Sequence, residues 1–193
     1  MTLYSIGYAT KPAQTLIEQL QQFSIDVVAD IRSVPYSAAF KEYHREALQK
    51  ALAGASIRYV YLGEELGPRS IDDAHYNEQG QVQFQRLMGS DLFISGIERL
   101  QNGLGKNLNI ALLCAEKDPA ICHRSLLVSY YLERETSIKV QHITHDGKLE
   151  SQEALEQRLV CLQDMQADLI TDTKDLAKLA YDKQVLDRAY CRK

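Results

Sequence analysis

Short apolar runs alternate with amphipathic segments through the first 150 residues of the chain. Runs with β-branched residues predict strands at 3–6, 25–31, 57–62, 108–114 and 138–143. Apolar positions at helical spacing predict helices at 13–23, 40–52 and 125–133, and one or two helices over 81–101. Because strands and crossover helices alternate, the predicted fold class is α/β, a three-layer sandwich with a mostly parallel sheet.

Two segments depart from this alternation. Residues 63–80 are rich in Gly, Pro, Asp and Asn, which predicts a long loop. From about residue 151 the pattern is helical, and its leucine stripes comprise Leu155, Leu159, Leu162 and Leu169, followed by Leu176, Leu179, Leu186 and Tyr190. We therefore predict an α/β domain over 1–150 and a helical C-terminal extension over 151–193 in the same structural unit. The stripes are either core packing or the interface of a homodimer formed through the C-terminal helices.

The composition narrows the class of protein. A chain of 193 residues that is 45% hydrophobic has enough apolar side chains for one sizeable core. Its 26 acidic and 22 basic residues are interspersed, and the net charge of -4 excludes general attraction to nucleic acid or to an anionic membrane. The first residues lack a basic leader followed by a long apolar segment, and no apolar run is long enough to span a bilayer. These features predict a cytoplasmic protein whose four cysteines stay reduced.

Polar residues follow the predicted strands, at the points where a parallel sheet binds its ligands. They are Tyr8 after the first strand, Asp30 and Arg32 after the second, Cys114 and Glu116 after the fourth, and Thr144, His145 and Asp146 after the fifth. We expect them to lie on one edge of the sheet. Asp30 and Arg32 form either an internal salt bridge or a charged pair that faces a ligand.

The stretch ALLCAEKDPAICHR, residues 111–124, concentrates chemically active side chains. Asp118-Pro119 begins either a helix or a turn, and only the turn places Cys122 at the start of the next helix, where its pKa would fall. Arg124 and Arg32 together would form a positive pocket for phosphate, sulfate or carboxylate. The alternative is that Arg124 binds backbone carbonyls and locks the loop, while Cys114 fills the core.

Several motifs of the chain resemble a known family. SIGYAT, VADIRSVPYSAAF, YVYLGEELG, ALLCAEKDPAICHR and VQHITHDGKL occur in this order over residues 3–149, as in the bacterial family called domain of unknown function 488, and LAYDKQVLDRAY is similar to the tail of its longer members. The resemblance implies a site formed by Asp30, Arg32, Cys114, Glu116, Cys122, His123 and Arg124, but it implies no reaction. The chain differs in having Tyr8 where histidine is common and Ala38-Ala39 where arginines are common.

The first functional hypothesis is an enzyme acting on a small anionic substrate, such as a nucleotide or a phosphorylated metabolite. The residues assigned to it are Cys122 as nucleophile, Glu116 and His123 as acid or base, and Asp30, Arg32, Arg124, Cys114 and Tyr8 as substrate-binding residues. It assigns no residue to a metal and leaves any cofactor unidentified.

Three other hypotheses remain open at this point. A metal site would use Cys114, Cys122 and His123 with His142 or His145, although cysteines eight residues apart are unlike a CxxC motif. Redox exchange between the two cysteines would require their Cα atoms to lie within about 7 Å. A nucleic-acid-binding or interaction module without catalysis would use the tyrosines Tyr36, Tyr43, Tyr59 and Tyr61, among which acidic residues are mixed.

Overall fold

A computed structural model describes residues 2–166 and 172–192 of the chain, except for the side chains of residues 2, 173 and 174. Its six strands are β1 (Thr2–Gly7), β2 (Val27–Asp30), β3 (Arg58–Tyr61), β4 (Ile110–Cys114), β5 (Lys139–Ile143) and β6 (Leu149–Ser151). They form one sheet in the order β3-β2-β4-β1-β5-β6. The first five strands are parallel, and the short β6, which the hydrophobic pattern did not predict, is antiparallel to β5.

Eight α-helices connect and cover the strands in the described residues. They are α1 (Ala13–Gln22), α2 (Arg45–Gly54), α3 (Gly63–Leu66), α4 (Phe84–Met88), α5 (Asp91–Gly105), α6 (Tyr130–Glu135), α7 (Gln152–Leu162) and α8 (Thr173–Arg188). Of the two possibilities for 81–101, one helix or two, the structure has two, because the Ser90 side chain accepts from the Phe93 amide and caps α5. The predicted loop at 63–80 contains α3, and α6 is preceded by a π-helix over Arg124–Ser129.

The sheet is buried on both faces. Neighbouring residues of β4 point to opposite sides, so Leu112 joins one apolar core while Ala111 and Leu113 join the other. Helices α1 and α2 contribute Leu16, Leu20, Leu48 and Leu52 to the second core, and α5, α6 and α7 contribute Phe93, Ile97, Leu132 and Leu155 to the first. The α/β sandwich with a mostly parallel sheet is confirmed. Within the described residues, no helix is both long and apolar enough to cross a membrane.

The C-terminal helices bury only part of their predicted leucine stripes. Leu155, Leu159 and Leu176 are buried, whereas Leu162, Leu179 and Leu186 are more than half exposed. Core packing therefore accounts for the first three leucines and not for the other three, and Leu169 lies outside the described residues. The domain boundary at residue 150 and the homodimer remain predictions, and the boundary falls inside β6.

A buried polar network joins β1, β5 and α7. Ser5 Oγ lies 2.7 Å from His142 Nδ1, and His142 Nε2 lies 2.8 Å from Gln152 Oε1. Gln152 donates through its own nitrogen to Glu156, so its oxygen accepts the His142 Nε2–H and Nδ1 accepts the Ser5 hydroxyl. His142 is therefore held neutral, and burial, aided by the charge of Arg124, lowers its pKa to about 4.

This network predicts a measurable dependence of stability on acid. The unfolded histidine, with a pKa of about 6.5, binds a proton that the folded histidine excludes. The contribution of His142 to the free energy of unfolding is therefore fully present above about pH 6.5 and is lost as the pH falls towards about 4. We expect the free energy of unfolding of the wild type to fall across this window by up to about 3 kcal/mol more than that of His142→Asn, which cannot titrate. Urea unfolding at several pH values measures both slopes. Parallel slopes would show that His142 does not titrate as described.

Candidate functional site

Three neighbouring strands of the sheet, β2, β4 and β1, end beside one another. The chain after β1 lies directly against the chain after β4, with the Tyr8 amide donating to the Cys114 carbonyl and the Ala9 amide to the Ala115 carbonyl. A Cβ atom at Gly7 would lie 1.9 Å from the Glu116 carbonyl oxygen, so only glycine permits this approach. The residues after β5 lie elsewhere, because His145 lines a separate groove with Lys117 and Arg158.

The segment after β4 has the turn that places Cys122 before a helix. Asp118 accepts from the Ala120 amide at 2.9 Å, and a 3₁₀ turn covers Pro119–Ile121. Cys122 then has an extended backbone, and the π-helix begins two residues later at Arg124. The Arg124 amide lies 3.5 Å from Cys122 Sγ, so the start of the helix faces this sulfur.

Four side chains meet in what we call the cysteine cluster, which consists of Cys114, Glu116, Cys122 and His123. Both sulfurs contact the same carboxylate oxygen, with Cys114 Sγ 2.8 Å and Cys122 Sγ 2.9 Å from Glu116 Oε2. Cys114 Sγ also lies 3.4 Å from His123 Nδ1. One potential ligand atom from each of the four residues falls within 4.8 Å of all the others. The cluster is therefore compact enough for the four groups to share one metal ion or to exchange protons directly.

The ring of His123 is oriented by the end of β2. Its Nε2 lies 2.9 Å from the carbonyl oxygen of Ile31 and donates to it. The Nδ1 lone pair is then left facing Cys114. A histidine that binds a metal through one ring nitrogen commonly donates the other to a carbonyl in this way.

Burial and mutual contact shift the pKa values of the cluster. Burial raises the pKa of Cys114. Burial also opposes ionisation of Cys122, but the Cys114 hydrogen bond and the charge of Arg124 outweigh it, so its pKa lies well below the ordinary value of a thiol. Burial and the Cys122 charge raise the pKa of Glu116, while contact with Cys122 outweighs burial and raises the pKa of His123. Without a metal, the negative charge is therefore concentrated on Cys122.

Arg124 holds the loop of the cluster in place. Its side chain is fully buried, with Nη1 donating to the Glu116 carbonyl at 2.7 Å and Nη2 to the Lys117 carbonyl at 3.2 Å. The guanidinium has no exposed surface, both of its terminal nitrogens bind backbone, and its Nε has no hydrogen-bond partner among the described residues, so the role of anion clamp stays a prediction. The alternative of a loop lock agrees with its contacts.

Asp30 and Arg32 form an internal ion pair. Arg32 donates from Nε and Nη2 to the two Asp30 carboxylate oxygens at 2.8 and 2.6 Å, and from Nη1 to the Tyr43 carbonyl. The Tyr59 hydroxyl donates to the same carboxylate at 2.7 Å. The Tyr8 ring stacks on the Tyr43 ring, and the Arg32 guanidinium lies 5.1 Å from the centroid of the Tyr8 ring. The pair is thus a structural support of the site, and its charges largely neutralise each other.

A cleft of about 500 Å³ opens at this edge of the sheet. Five predicted site residues line it, namely Tyr8, Arg32, Cys114, Glu116 and His123. Asp30, Cys122 and Arg124 do not line it, and all three are buried behind it. Of the two cysteines only Cys114 lines the cleft, but both are almost fully buried, so the roles predicted for Cys114 and Cys122 stay predictions.

The cleft also has walls that the sequence did not reveal. They include Arg69 from the loop after α3, and Arg188 and Tyr190 from the C-terminus. Arg188 and Tyr190 belong to the motif LAYDKQVLDRAY, but the sequence assigned this motif no role in the site, and 119 positions separate Arg69 from Arg188 in the chain (188 minus 69). Only their exposure to the cleft identifies them.

Comparison with known proteins gives one match. A family model described as "Domain of unknown function DUF488" matches residues 12–131, which contain β2, β4 and the whole cysteine cluster. Neither the curated proteins nor the solved structures provide a match.

Proposed function

The chain belongs to the family described as domain of unknown function DUF488, and we propose that it is a metal-dependent enzyme that hydrolyses a small anionic substrate, such as a nucleotide or a phosphorylated metabolite. The observation that carries the proposal is the cysteine cluster itself, whose four donor atoms lie within 4.8 Å of one another and of whose residues three, Cys114, Glu116 and His123, line a cleft. The metal expected from two thiolates and an imidazole is zinc or a similar divalent transition metal.

The ligand set assigned here is Cys114, Cys122 and His123. Two cysteines and one histidine form a known type of catalytic zinc site, in which the fourth position is left to water or substrate. The carbonyl of Ile31 orients the histidine ring, which favours a ligand role for Nδ1. His142 and His145, which the sequence offered as further ligands, are not part of the cluster. In this proposal Cys122 is a metal ligand and not the nucleophile, and His123 is a metal ligand and not an acid or base.

Glu116 keeps the role of general acid and base. Its carboxylate lines the cleft and contacts both sulfurs, so it would lie beside a water bound at the open position. The metal would supply a Lewis acid and an activated water. Metal binding would also favour the thiolate form of Cys114, whose pKa burial raises in the absence of a cation.

The charges around the cleft favour an anionic substrate. Arg32, Arg69 and Arg188 line it together with one acidic residue, Glu116. Arg32 is engaged by Asp30, so the binding charge comes mainly from the other two arginines. We propose a cytoplasmic location because all four cysteines are free and the ligand set requires reduced thiols.

A second candidate is cysteine catalysis without a metal. Cys114 Sγ faces the cleft, 2.8 Å from a Glu116 carboxylate oxygen and 3.4 Å from His123 Nδ1, an arrangement that suits a nucleophile with an acid and a base beside it. A nucleic-acid partner has less support, because Tyr43 and Tyr59 direct their hydroxyls to internal acceptors.

The test combines metal analysis with an activity assay. We expect protein purified in reducing buffer without chelator to contain about one zinc per chain, and to hydrolyse at least one nitrophenyl ester from a panel of phosphate mono- and diesters. Removal of zinc by a chelator should abolish hydrolysis, and added zinc should restore it. Hydrolysis that persists in metal-free protein would favour the cysteine mechanism, whereas a protein that binds no zinc would contradict the metal proposal.

A further inference from the structure

The end of α8 and the residues after it form part of the cleft wall. Arg188 and Tyr190 both line the cleft that the cysteine cluster faces. They lie far beyond residue 131, where the match to the family model ends. A part of the chain outside the matched residues therefore contributes directly to the cleft surface that a substrate would meet.

The C-terminal segment is attached firmly to the rest of the site. The Val82 amide donates to the Tyr190 carbonyl at 2.8 Å, and the Arg192 amide donates to the Gly80 carbonyl at 2.8 Å. Helix α8 packs on the segment that carries Cys122, because Tyr181 Oη donates to the Leu126 carbonyl and Gln184 Nε2 to the Ala120 carbonyl. These contacts fix the wall relative to the cysteine cluster.

The two arginines of this wall are available to a ligand. Arg69 and Arg188 are exposed, and neither forms a salt bridge with another residue in the described part of the chain. The Arg32 guanidinium, in contrast, is buried and paired with Asp30. An anionic group entering the cleft would find its charge partners in Arg69 and Arg188.

The same wall presents an aromatic surface beside these charges. The Arg69 guanidinium lies over the Tyr190 ring, 4.7 Å from the centroid, and Tyr36, which is 49% exposed, also lines the cleft. Aromatic side chains next to arginines are suited to stacking on a planar ring of a ligand.

We infer that the C-terminal segment selects an anion attached to a planar ring, a ligand of the nucleoside monophosphate class. Arg69 and Arg188 bind the phosphate, and Tyr190 packs against the base. The inference rests on the proposed function, because the same cleft leads to the cysteine cluster, and it narrows the substrate from any small anion to one with an aromatic part.

Two probes with the same phosphate and sugar test the inference. Adenosine 5′-monophosphate and ribose 5-phosphate are titrated into zinc-loaded protein, and binding is followed by isothermal titration calorimetry. We expect the nucleotide to bind at least about fivefold more tightly, which is the lower end of what stacking of one base contributes. Arg188→Gln should weaken both probes about fivefold through loss of a charge-assisted contact. Tyr190→Leu should remove most of the advantage of the nucleotide.

The control is Lys183→Gln, which removes a positive charge from an exposed position of α8 away from the cleft and should bind both probes as the wild type does. Equal binding of the two probes by the wild type would overturn the inference without any variant. Unchanged binding by Arg188→Gln in a protein with an unaltered circular dichroism spectrum would also overturn it. Zinc content is measured in the same samples. Absence of zinc would contradict the proposed metal site, whereas equal binding of the two probes by zinc-loaded protein would contradict only the proposed ligand class.

Discussion

Replacing Cys114 with serine is expected to lower the zinc affinity of the protein by more than about 100-fold, because loss of a direct ligand should exceed the roughly 10- to 100-fold cost of losing a second-shell partner. The serine hydroxyl is a poor substitute for a thiolate, which suits zinc both by charge and by softness. The loss should be seen in competition titrations with a chromophoric zinc chelator. Added zinc should also raise the melting temperature of the wild type, but that of Cys114→Ser much less.

The chain offers matched controls for this experiment. Cys161 and Cys191 are free and exposed, so Cys161→Ser and Cys191→Ser remove a thiol without touching the cysteine cluster. Both variants should bind zinc as tightly as the wild type. Substitution of cobalt for zinc gives a second readout, because thiolate ligation of cobalt produces a charge-transfer absorption. Loss of a cluster cysteine should weaken this absorption, whereas Cys161→Ser and Cys191→Ser should leave it unchanged. Wild-type affinity in Cys114→Ser would remove this residue from the ligand set.

Replacing Asp30 with asparagine is expected to destabilise the fold by about 3–5 kcal/mol, the range for breaking a buried ion pair from one side. Asp30 is fully buried and accepts from Arg32 and Tyr59, so the variant leaves a buried guanidinium without its counter-charge. The amide preserves the shape of the side chain, which separates the loss of charge from the formation of a cavity. The free energy of unfolding from guanidinium chloride titration measures the effect.

An exposed pair on α8 provides the comparison. Lys178 and Asp182 are 2.9 Å apart and four residues apart on the helix, with both side chains about half exposed. Asp182→Asn should cost less than about 0.5 kcal/mol, because water and salt screen such pairs. Similar losses for the two variants would mean that Asp30 and Arg32 do not depend on each other as their contacts indicate.

The segment 111–124 illustrates how far residue patterns lead. Three of the side chains that it predicts for the site, Cys114, Glu116 and His123, line one cleft. The residue types did not reveal which of these side chains reach the cleft and which bind the backbone behind it. Arg124 donates from both terminal nitrogens to carbonyls of its own loop, and Cys122 is buried and does not line the cleft. Both outcomes follow from the direction in which the chain turns after Asp118, which two alternative backbone conformations left open.

The sequence by itself determined the order of the first five strands and of the helices between them, and the parallel sheet that they form. It could do so because burial imposes a period of two on strands and of 3.6 on helices, which neighbouring residues record. Only the tertiary structure decided which thiol faces the cleft and which arginines remain available to a ligand. Those properties depend on contacts between distant parts of the chain, such as the hydrogen bond from Val82 to Tyr190, and no local pattern of side chains encodes them.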